Sequence, residues 1–287
     1  MLRAMQNDGS GGASGTEREK INTGEQRAYW NSLSPEYSRS IRISIDDFHY
    51  GPQIPGESEL GLLPPSPPRP GATALELGCG GGQNSIWLAR RGWKCTALDV
   101  SPAQLERATA LAKRAGAEVE FGISSIEDFP ETTGGRQFDL VHSSHAMEFL
   151  EHPGPSVRAM AEATVPGGLV MISTVHPIYN GMWIDGEFED EDGGDAGSAG
   201  AGLFLTNYFR PPDDVRDDAN GHAVSRAWPV SAWFDWFRRA GLTVERLLEP
   251  AATRDAPYTS DDWAAHGGQL DRIPSTIILL GRKTAGA

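Results

Sequence analysis

The most informative stretch of this sequence is LELGCGGG at residues 75–82. It ends an apolar run, TALEL, and is followed by a helical pattern, NSIWLARRG, so its glycines occupy a turn between a strand and a helix. Glycine lets the backbone turn sharply and approach a ligand without a Cβ, and the helix that follows offers free N–H groups. The motif predicts a small polar ligand at this turn, against the alternative of a tight turn without a ligand.

Short apolar runs alternate with helical patterns downstream of this turn. KCTALDV, AEVEFGI, FDLVHSS and GGLVMISTVH have the character of strands, whereas SPAQLERATALAKRAG and GPSVRAMAEATV have the character of helices. Apolar strands without clean alternation are typical of a parallel sheet covered by helices on both faces. We therefore predict an α/β domain with a doubly wound, mostly parallel sheet over residues 71–287, with PSTIILLGRK as its last strand.

Three segments fall outside this pattern. Residues 1–16 are rich in Gly and Ser, and this composition predicts a disordered leader. Residues 17–70 predict a helical cap followed by a linker, because seven prolines lie between positions 52 and 70. Residues 178–227 form an insertion whose acidic part, 185–218, holds eleven acids and two arginines. This insertion is either a solvated mobile loop or a lid over the substrate.

The composition excludes several classes of function. The 287 residues carry a formal charge of −14, which would repel nucleic acids and anionic membranes. No apolar run approaches the length of about 20 residues that spans a bilayer. The two cysteines provide neither a disulfide framework nor a metal site. We expect a cytoplasmic protein with a small-molecule substrate, no nucleic-acid or membrane partner and no metal, with a homodimer as the assembly to test.

Two carboxylates accompany the glycine motif. Asp99 ends the second predicted strand, where a carboxylate can accept two hydrogen bonds from a ribose diol; capping of the next helix is the alternative. Glu76 lies two residues before Gly78 and suits a ligand with an ammonium or sulfonium group. Gln83 stands where the dinucleotide fingerprint requires its third glycine, which argues against an NAD(P)-dependent oxidoreductase.

Two of the seven histidines are candidate general bases. His145 and His176 follow the carboxyl ends of predicted strands, where such sheets bind their substrates. An ordinary histidine pKa of about 6.5 suits proton removal at neutral pH. For each of them, a hydrogen-bonded position in the pocket wall is the alternative.

The succession of motifs resembles that of class I S-adenosylmethionine-dependent methyltransferases. LELGCGGGQNSIWLARRG, ALDVSPAQLERA, VEFGISSIEDFP, FDLVHSSHAMEFL and VPGGLVMIS match in order and spacing over about residues 71–175. The resemblance implies a seven-stranded Rossmann-like sheet whose last strand, near 276–281, runs antiparallel. It also implies that S-adenosyl-L-methionine lies across the carboxyl ends of the strands.

The resemblance also implies individual cofactor contacts. Gly78 and Gly80 would face the methionine moiety, Ile126 would lie beside adenine, and Ser125 stands where many relatives carry an acid. The whole set lies at strand ends and the turns that follow them: Glu76, Gly78, Gly80, Asp99, Gln104, Ser125, Ile126 and Ser143.

The N-terminal cap resembles that of small-molecule methyltransferases in which an aromatic residue covers the sulfonium. Aromatic faces attract a cation through their quadrupole. The candidates are Tyr29, Trp30, Tyr37, His49 and Tyr50. Of these we assign Tyr37 and Tyr50 to the cofactor site, with simple helix packing as the alternative for each.

The substrate class follows from the end of the fourth strand. Residues 143–145 read SSH, whereas relatives that methylate base amines or glutamine amides carry an Asn or Asp, two prolines and an aromatic residue there. The sequence thus predicts methyl transfer to an O, N or C nucleophile of a small molecule, such as a secondary metabolite. The alternatives are a cyclase-like enzyme that binds the cofactor without methylating, and a regulatory module.

Overall fold

The computed structural model describes residues 20–179, 182–184, 202–261 and 270–284. The helices are α1 (Thr23–Ser40), α2 (Glu57–Leu60), α3 (Gln83–Ala89), α4 (Pro102–Ala115), α5 (Phe129–Thr132), α6 (Pro153–Glu162) and α7 (Val230–Arg239). The strands are β1 (Ile41–Ile43), β2 (Thr73–Leu77), β3 (Lys94–Asp99), β4 (Val119–Ile123), β5 (Phe138–Ser144), β6 (Thr164–Val175), β7 (Met182–Ile184), β8 (Gly202–Phe204), β9 (Asp214–Asp218), β10 (Gly221–Ser225), β11 (Leu242–Leu248), β12 (Tyr258–Ser260) and β13 (Thr276–Lys283). None of the helices in these ranges is long and apolar enough to cross a bilayer.

A seven-stranded sheet in the order β11-β13-β6-β5-β2-β3-β4 forms the centre of the molecule. Strand β13 runs antiparallel to both β11 and β6, and the other neighbouring pairs are parallel. The prediction of a doubly wound sheet with an antiparallel last strand is confirmed. The chain order reverses at β2, which lies between β3 and β5, so a crevice opens at the carboxyl ends of these strands.

The central strands bury apolar side chains on both faces. Leu140 of β5 and Ile278 of β13 belong to one buried cluster, whereas Val141 and Ile277 belong to the cluster on the opposite side. Successive residues of a strand point to opposite faces, so a sheet covered on both sides requires continuous apolar runs. This explains why the strand sequences show no apolar and polar alternation.

The helix that follows β3 is fixed by local sequence signals. The Ser101 hydroxyl accepts a hydrogen bond from the backbone N–H of Gln104, and Pro102 occupies the first helical position. Gly116 ends α4 in the left-handed conformation. Asp99 lies three residues before the start of α4, and the Ser101 N–H at this start donates to its carboxylate.

The proline-rich segment before β2 packs onto the sheet. Phe48, Tyr50 and Ile54 are fully buried and belong to the same cluster as Leu140 and Ile278. The prolines remove periodicity, but the apolar residues between them still cover the sheet face. The segment interpreted as a linker from its prolines is therefore a covering layer of the core.

The described part of the insertion supports the N-terminal helix. Strands β9 and β10 pair as an antiparallel hairpin that packs against α1. The Gln26 side-chain amide donates to the Val224 carbonyl (2.9 Å), and the Tyr29 hydroxyl donates to Asp218 (3.3 Å). The predicted leader and much of the acidic run lie outside the described residues.

Candidate active site

A cleft lies at the crevice between β2, β3 and β5. The turns after these three strands form its floor. Helix α1 contributes Thr23, Gln26 and Trp30 to its wall. The sheet therefore places the cleft at the carboxyl ends of its strands, which is where ligands of open α/β sheets bind.

The glycine turn forms one end of the cleft. Gly78 and Gly80 both line it and have φ angles of 70° and 50°, a region that residues with a Cβ disfavour. A Cβ at position 78 would lie 2.3 Å from the Cβ of Ala146, which is closer than two carbon atoms can approach. Glycine is thus required at 78 both for the backbone conformation and for the close approach of the next loop.

Asp99 lies buried at the end of β3 with its carboxylate in the cleft wall. One carboxylate oxygen accepts the Gly80 N–H (2.8 Å) and the other accepts the Ser101 N–H (2.9 Å). Desolvation raises the pKa of this carboxyl. Each oxygen retains further acceptor capacity, so the group can still receive a diol. The cap of α4 is Ser101, and Asp99 remains available to a ligand.

Glu76 is the second carboxylate of the cleft and is also buried. One of its oxygens accepts both the backbone N–H (3.0 Å) and the hydroxyl of Ser85, at the start of α3. Desolvation is the largest effect on it and raises its pKa to about 7. A cation at this end of the cleft would favour the ionised carboxylate.

The far end of the cleft includes Gln104, Ser125, Ile126 and Glu127. The Ser125 hydroxyl donates to the Asp128 carboxylate (2.8 Å) and accepts the Asp128 backbone N–H (3.0 Å). The side chain of Ser125 is therefore occupied within its own turn, and Glu127 is the carboxylate that this turn brings to the cleft.

Ser144, and not the predicted Ser143, lines the cleft at the end of β5. The Ser143 hydroxyl is fully buried and donates to the Leu77 carbonyl (2.9 Å), and Ser143 does not line the cleft. Ser144, the next residue of β5, does line it. Successive strand residues face opposite sides, so a shift of one position moves the hydroxyl out of the site.

His145 forms part of the cleft wall with both ring nitrogens engaged. Its Nδ1 lies 3.2 Å from Glu148 Oε1, and its Nε2 lies 2.9 Å from the Thr276 hydroxyl. The residue has a φ angle of 51°, which is uncommon for a residue other than glycine and often marks a functional loop. These partners fix the ring in place.

His176 lies outside the cleft lining and is almost completely buried. Its Nε2 is 2.7 Å from Glu249 Oε1, and its Nδ1 accepts the Ile178 backbone N–H (3.1 Å). Burial lowers its pKa. The ring thus stabilises the turn after β6, and a role as general base gains no support from this position.

The aromatic residues of the cleft differ from the two assigned from sequence. Tyr50 is fully buried away from the cleft with its hydroxyl bonded to Glu57, and the Tyr37 side chain lies outside the described residues. Among the described residues, the aromatic rings that line the cleft are those of Trp30, Phe149 and Tyr258, with the imidazoles of His49 and His145. Trp30 and Phe149 pack edge to face at 5.4 Å. Positions 23, 26 and 30 of α1 are three and four residues apart and so share one face of the helix. This spacing is the sequence signal that identifies Trp30 as a cleft residue.

The charges of the cleft are one-sided. Glu76, Asp99 and Glu127 line it, and no Lys or Arg does so within the described part of the chain. Over the same residues, no three His, Cys, Asp or Glu side chains are arranged to hold a metal ion. The cleft suits a ligand that carries positive charge.

Comparison with known proteins agrees with this geometry. Residues 74–168 match a family model described as a methyltransferase domain. The chain is 34% identical over 106 residues to a ubiquinone biosynthesis O-methyltransferase from Xanthomonas axonopodis pv. citri, a match that covers 37% of this chain and 44% of that relative. The chain thus aligns with less than half of the length of this curated relative.

Solved structures share the fold over most of the chain. An S-adenosylmethionine-dependent methyltransferase from Mesorhizobium loti superposes with a TM-score of 0.56 at 22% identity, covering 78% of this chain and 94% of that one. A [4+2]-cyclase named SpnF superposes with a TM-score of 0.59 at 17% identity, covering 94% of this chain and all of the other. The fold is therefore shared by proteins with different reactions, and the site must decide between them.

Proposed function

We propose that this chain, of which residues 74–168 match a methyltransferase domain, is a class I S-adenosylmethionine-dependent methyltransferase and transfers the methyl group of S-adenosylmethionine to a nucleophile of a small molecule. The observation that carries the proposal is the Asp99 carboxylate, held by two backbone N–H groups beside the glycine turn. This arrangement offers a fixed acceptor for a ribose diol next to a turn without side chains.

The residues of the cleft fit this cofactor. When bound, S-adenosylmethionine supplies an electrophilic methyl carbon on a positively charged sulfur. Glu76 and Asp99 give the cleft the negative charge that complements such a ligand. Within the described part of the chain, this lining offers no Lys or Arg to a pyrophosphate, and Gln83 lines the cleft where a dinucleotide site needs glycine. A nicotinamide dinucleotide is therefore disfavoured.

The chain's own residues contribute binding, orientation and shielding. The Gly78 backbone and Glu76 hold the methionine end, and Asp99 holds the ribose. Trp30 and Phe149, close together in the cleft wall, attract a cation through their ring faces. Helix α1 covers the site and excludes water. Alignment of two bound reactants supplies much of the acceleration in a direct displacement.

The acceptor is proposed to be small and uncharged, such as a secondary metabolite. Carboxylates in the cleft oppose an anionic acceptor, and no basic side chain lines the described cleft to balance one. An oxygen nucleophile is proposed because the curated relative is named an O-methyltransferase.

The test is a methylation assay with a panel of neutral phenols, alcohols and amines. Mass spectrometry would follow both S-adenosylhomocysteine and the methylated acceptor. We expect the two to form in equal amounts, and Asp99→Asn, which keeps shape but removes charge, to lower the cofactor affinity at least tenfold. Binding of the cofactor without methylation of any panel member would instead favour the cyclase-like or regulatory alternative.

A further inference from the structure

A buried arginine beside the cleft joins the insertion to the segment that follows β5. Arg226 comes directly after β10, and its side chain is only 1% exposed. Its Nη1 donates to Glu151 (3.0 Å), and its Nε and Nη2 donate to the two carboxylate oxygens of Asp213 (2.8 and 2.7 Å). Hydrogen bonds between arginine and carboxylates are charge-assisted and hold their partners in a fixed geometry.

Glu151 extends this ion pair to the N-terminal cap. The carboxylate oxygen that does not bind Arg226 accepts the backbone N–H of Ile21 (2.7 Å), two residues before α1 begins. Burial alone would raise the pKa of Glu151, but the bonds from Ile21 and Arg226 outweigh burial and lower this pKa. A charged carboxylate therefore holds the start of the cap and the guanidinium together.

The backbone of Arg226 holds the adjoining wall of the cleft. Its N–H donates to the Glu148 carbonyl (2.8 Å). Phe149 and Leu150, which lie between Glu148 and Glu151 in the chain, both line the cleft. Arg226 thus holds this short wall segment at both ends, through its backbone at one end and its side chain at the other.

Helix α1 has few apolar contacts to keep it in place. Of residues 20–33, whose side chains the structure describes, only Ile21, Gln26 and Tyr29 are buried. Gln26 and Tyr29 reach the β9–β10 hairpin through hydrogen bonds. A segment that buries little apolar surface opens locally at a low cost in free energy. The polar contact at Glu151 therefore has a large share in holding the first turns of α1.

We propose that the Arg226–Glu151 ion pair is a clasp that keeps α1 closed over the bound ligand, and that its opening sets the rate of ligand release. Thr23, Gln26 and Trp30 of α1 line the same cleft as the glycine turn, whereas Arg226 and Glu151 do not line it. The pair is thus a positioning device that acts through α1. The choice of S-adenosylhomocysteine as the ligand rests on the proposed function, but the clasp does not.

The experiment compares two variants of Glu151 with the wild type. Glu151→Ala removes the acceptor of both hydrogen bonds but leaves Arg226 paired with Asp213, so no buried charge loses its last partner. Glu151→Gln keeps an acceptor for the Ile21 N–H and removes the charge. Glu245→Ala is the matched control, because Glu245 pairs with Arg282, is 35% exposed against 36% for Glu151, and does not line the cleft.

Amide hydrogen exchange of the unliganded protein tests the clasp without any cofactor. We expect peptides from residues 20–30 to exchange at least about tenfold faster in Glu151→Ala than in the wild type, because a charge-assisted hydrogen bond is lost. Glu151→Gln should give an intermediate rate. Peptides from α4 should exchange at the wild-type rate in both variants, and Glu245→Ala should leave α1 unchanged.

Stopped-flow fluorescence tests the effect on ligand release, since Trp30 lies in the cleft wall. The dissociation rate constant of S-adenosylhomocysteine should rise about tenfold in Glu151→Ala and less in Glu151→Gln. The association rate constant should stay within about threefold of the wild type. A change confined to dissociation distinguishes a clasp from a general loss of the binding site.

Three results would overturn the inference. Wild-type exchange of residues 20–30 in Glu151→Ala would show that α1 stays closed without the pair. Equally faster exchange in α1 and α4 would show that the pair supports the whole fold. An unchanged dissociation rate would separate the clasp from ligand release. Failure of the wild type to bind S-adenosylhomocysteine would instead contradict the proposed function, while exchange of the unliganded protein would still decide whether the clasp exists.

Discussion

At the scale of single residues, the cleft depends on a few groups whose roles cannot be exchanged. Gly78 combines a left-handed φ with contact to Ala146, and the Asp99 carboxylate is anchored to Gly80 and Ser101. Gly78 acts through its backbone conformation, and Asp99 acts through its carboxylate. Single substitutions therefore separate the cost of folding from the cost of binding.

Gly78→Ala should disrupt the cofactor end of the cleft. The new Cβ would lie 2.3 Å from that of Ala146, so the loop after β5 must move. We expect a loss of at least about 2 kcal/mol in unfolding free energy, from backbone strain and overpacking together. Binding of S-adenosylhomocysteine should fall more than tenfold. Urea denaturation and calorimetry would measure the two effects.

Gly116→Ala is the matched control for this substitution. Gly116 has a similar φ of 62°, but nothing lies within 4 Å of its added Cβ. It should cost only the strain of the left-handed conformation, about 1 kcal/mol, with no change in ligand affinity. Equal losses of affinity in the two variants would show that the approach of Ala146 is unimportant.

Glu76 should release protons when the cofactor binds. Its pKa is raised to about 7 mainly by burial, so the unliganded protein holds part of a proton there at pH 7. An ammonium or sulfonium group nearby favours the carboxylate and lowers this pKa. Calorimetry at pH 7 in buffers of different ionisation enthalpy should show release of less than one proton. Glu76→Gln should abolish the release, and proton uptake by the wild type would contradict the assignment.

At the scale of elements, the cleft is assembled from a rigid sheet edge and a cap. Helix α1 presents Thr23, Gln26 and Trp30 to the cleft, and hydrogen bonds from Gln26 and Tyr29 attach the helix to the β9–β10 hairpin. The described insertion thus acts on the site through α1. None of its described residues lines the cleft itself.

Ligand binding should slow amide hydrogen exchange in α1. The bound ligand adds contacts to a helix that is otherwise held mainly by the hairpin, and binding to the closed state opposes local opening. We expect slower exchange in peptides from 23–40 when S-adenosylhomocysteine is added. Peptides from α6, whose residues do not line the cleft, serve as the control. Unchanged exchange in α1 would show that it does not cover the ligand.

The sequence predicts the strands of the sheet better than it predicts which side chains face the cleft or the core. Apolar runs such as LVMIS identify buried parallel strands, and the glycine turn identifies the cofactor end. The sequence named Ser143 as a cofactor residue, whereas Ser144 is the one that lines the cleft; an apolar strand buried on both faces has no alternation that would indicate which of the two does so. The burial of Phe48 and Tyr50 could not be predicted either, because the prolines around them interrupt any regular spacing of apolar residues.

At the scale of the whole molecule, buried histidines link stability to pH. Burial is the main cause that lowers the pKa of both His49 and His142 to about 3. Between pH 3 and the unfolded value near 6.5, the unfolded chain binds protons that the folded protein does not. The stability of the folded state therefore falls as the pH is lowered through this window.

His142→Leu should isolate one of these contributions. Both nitrogens of His142 are buried without partners, so leucine should stabilise the protein by about 1 kcal/mol or more at pH 7. Between pH 6.5 and pH 5 the advantage of the variant should grow by about 1.6 kcal/mol, since one site contributes up to about 1.4 kcal/mol per pH unit and half of that at the unfolded pKa of 6.5. Urea denaturation at the two pH values measures it, and a constant difference would show that His142 titrates normally.

The central claim is that the cleft binds S-adenosylmethionine through Asp99. The most direct measurement is calorimetric titration of the wild type and Asp99→Ala with S-adenosylmethionine, S-adenosylhomocysteine and NADPH. We predict that both adenosyl ligands bind the wild type, that Asp99→Ala loses this binding, and that NADPH does not bind. Binding of NADPH without either adenosyl ligand would contradict the account and assign the glycine turn to a dinucleotide.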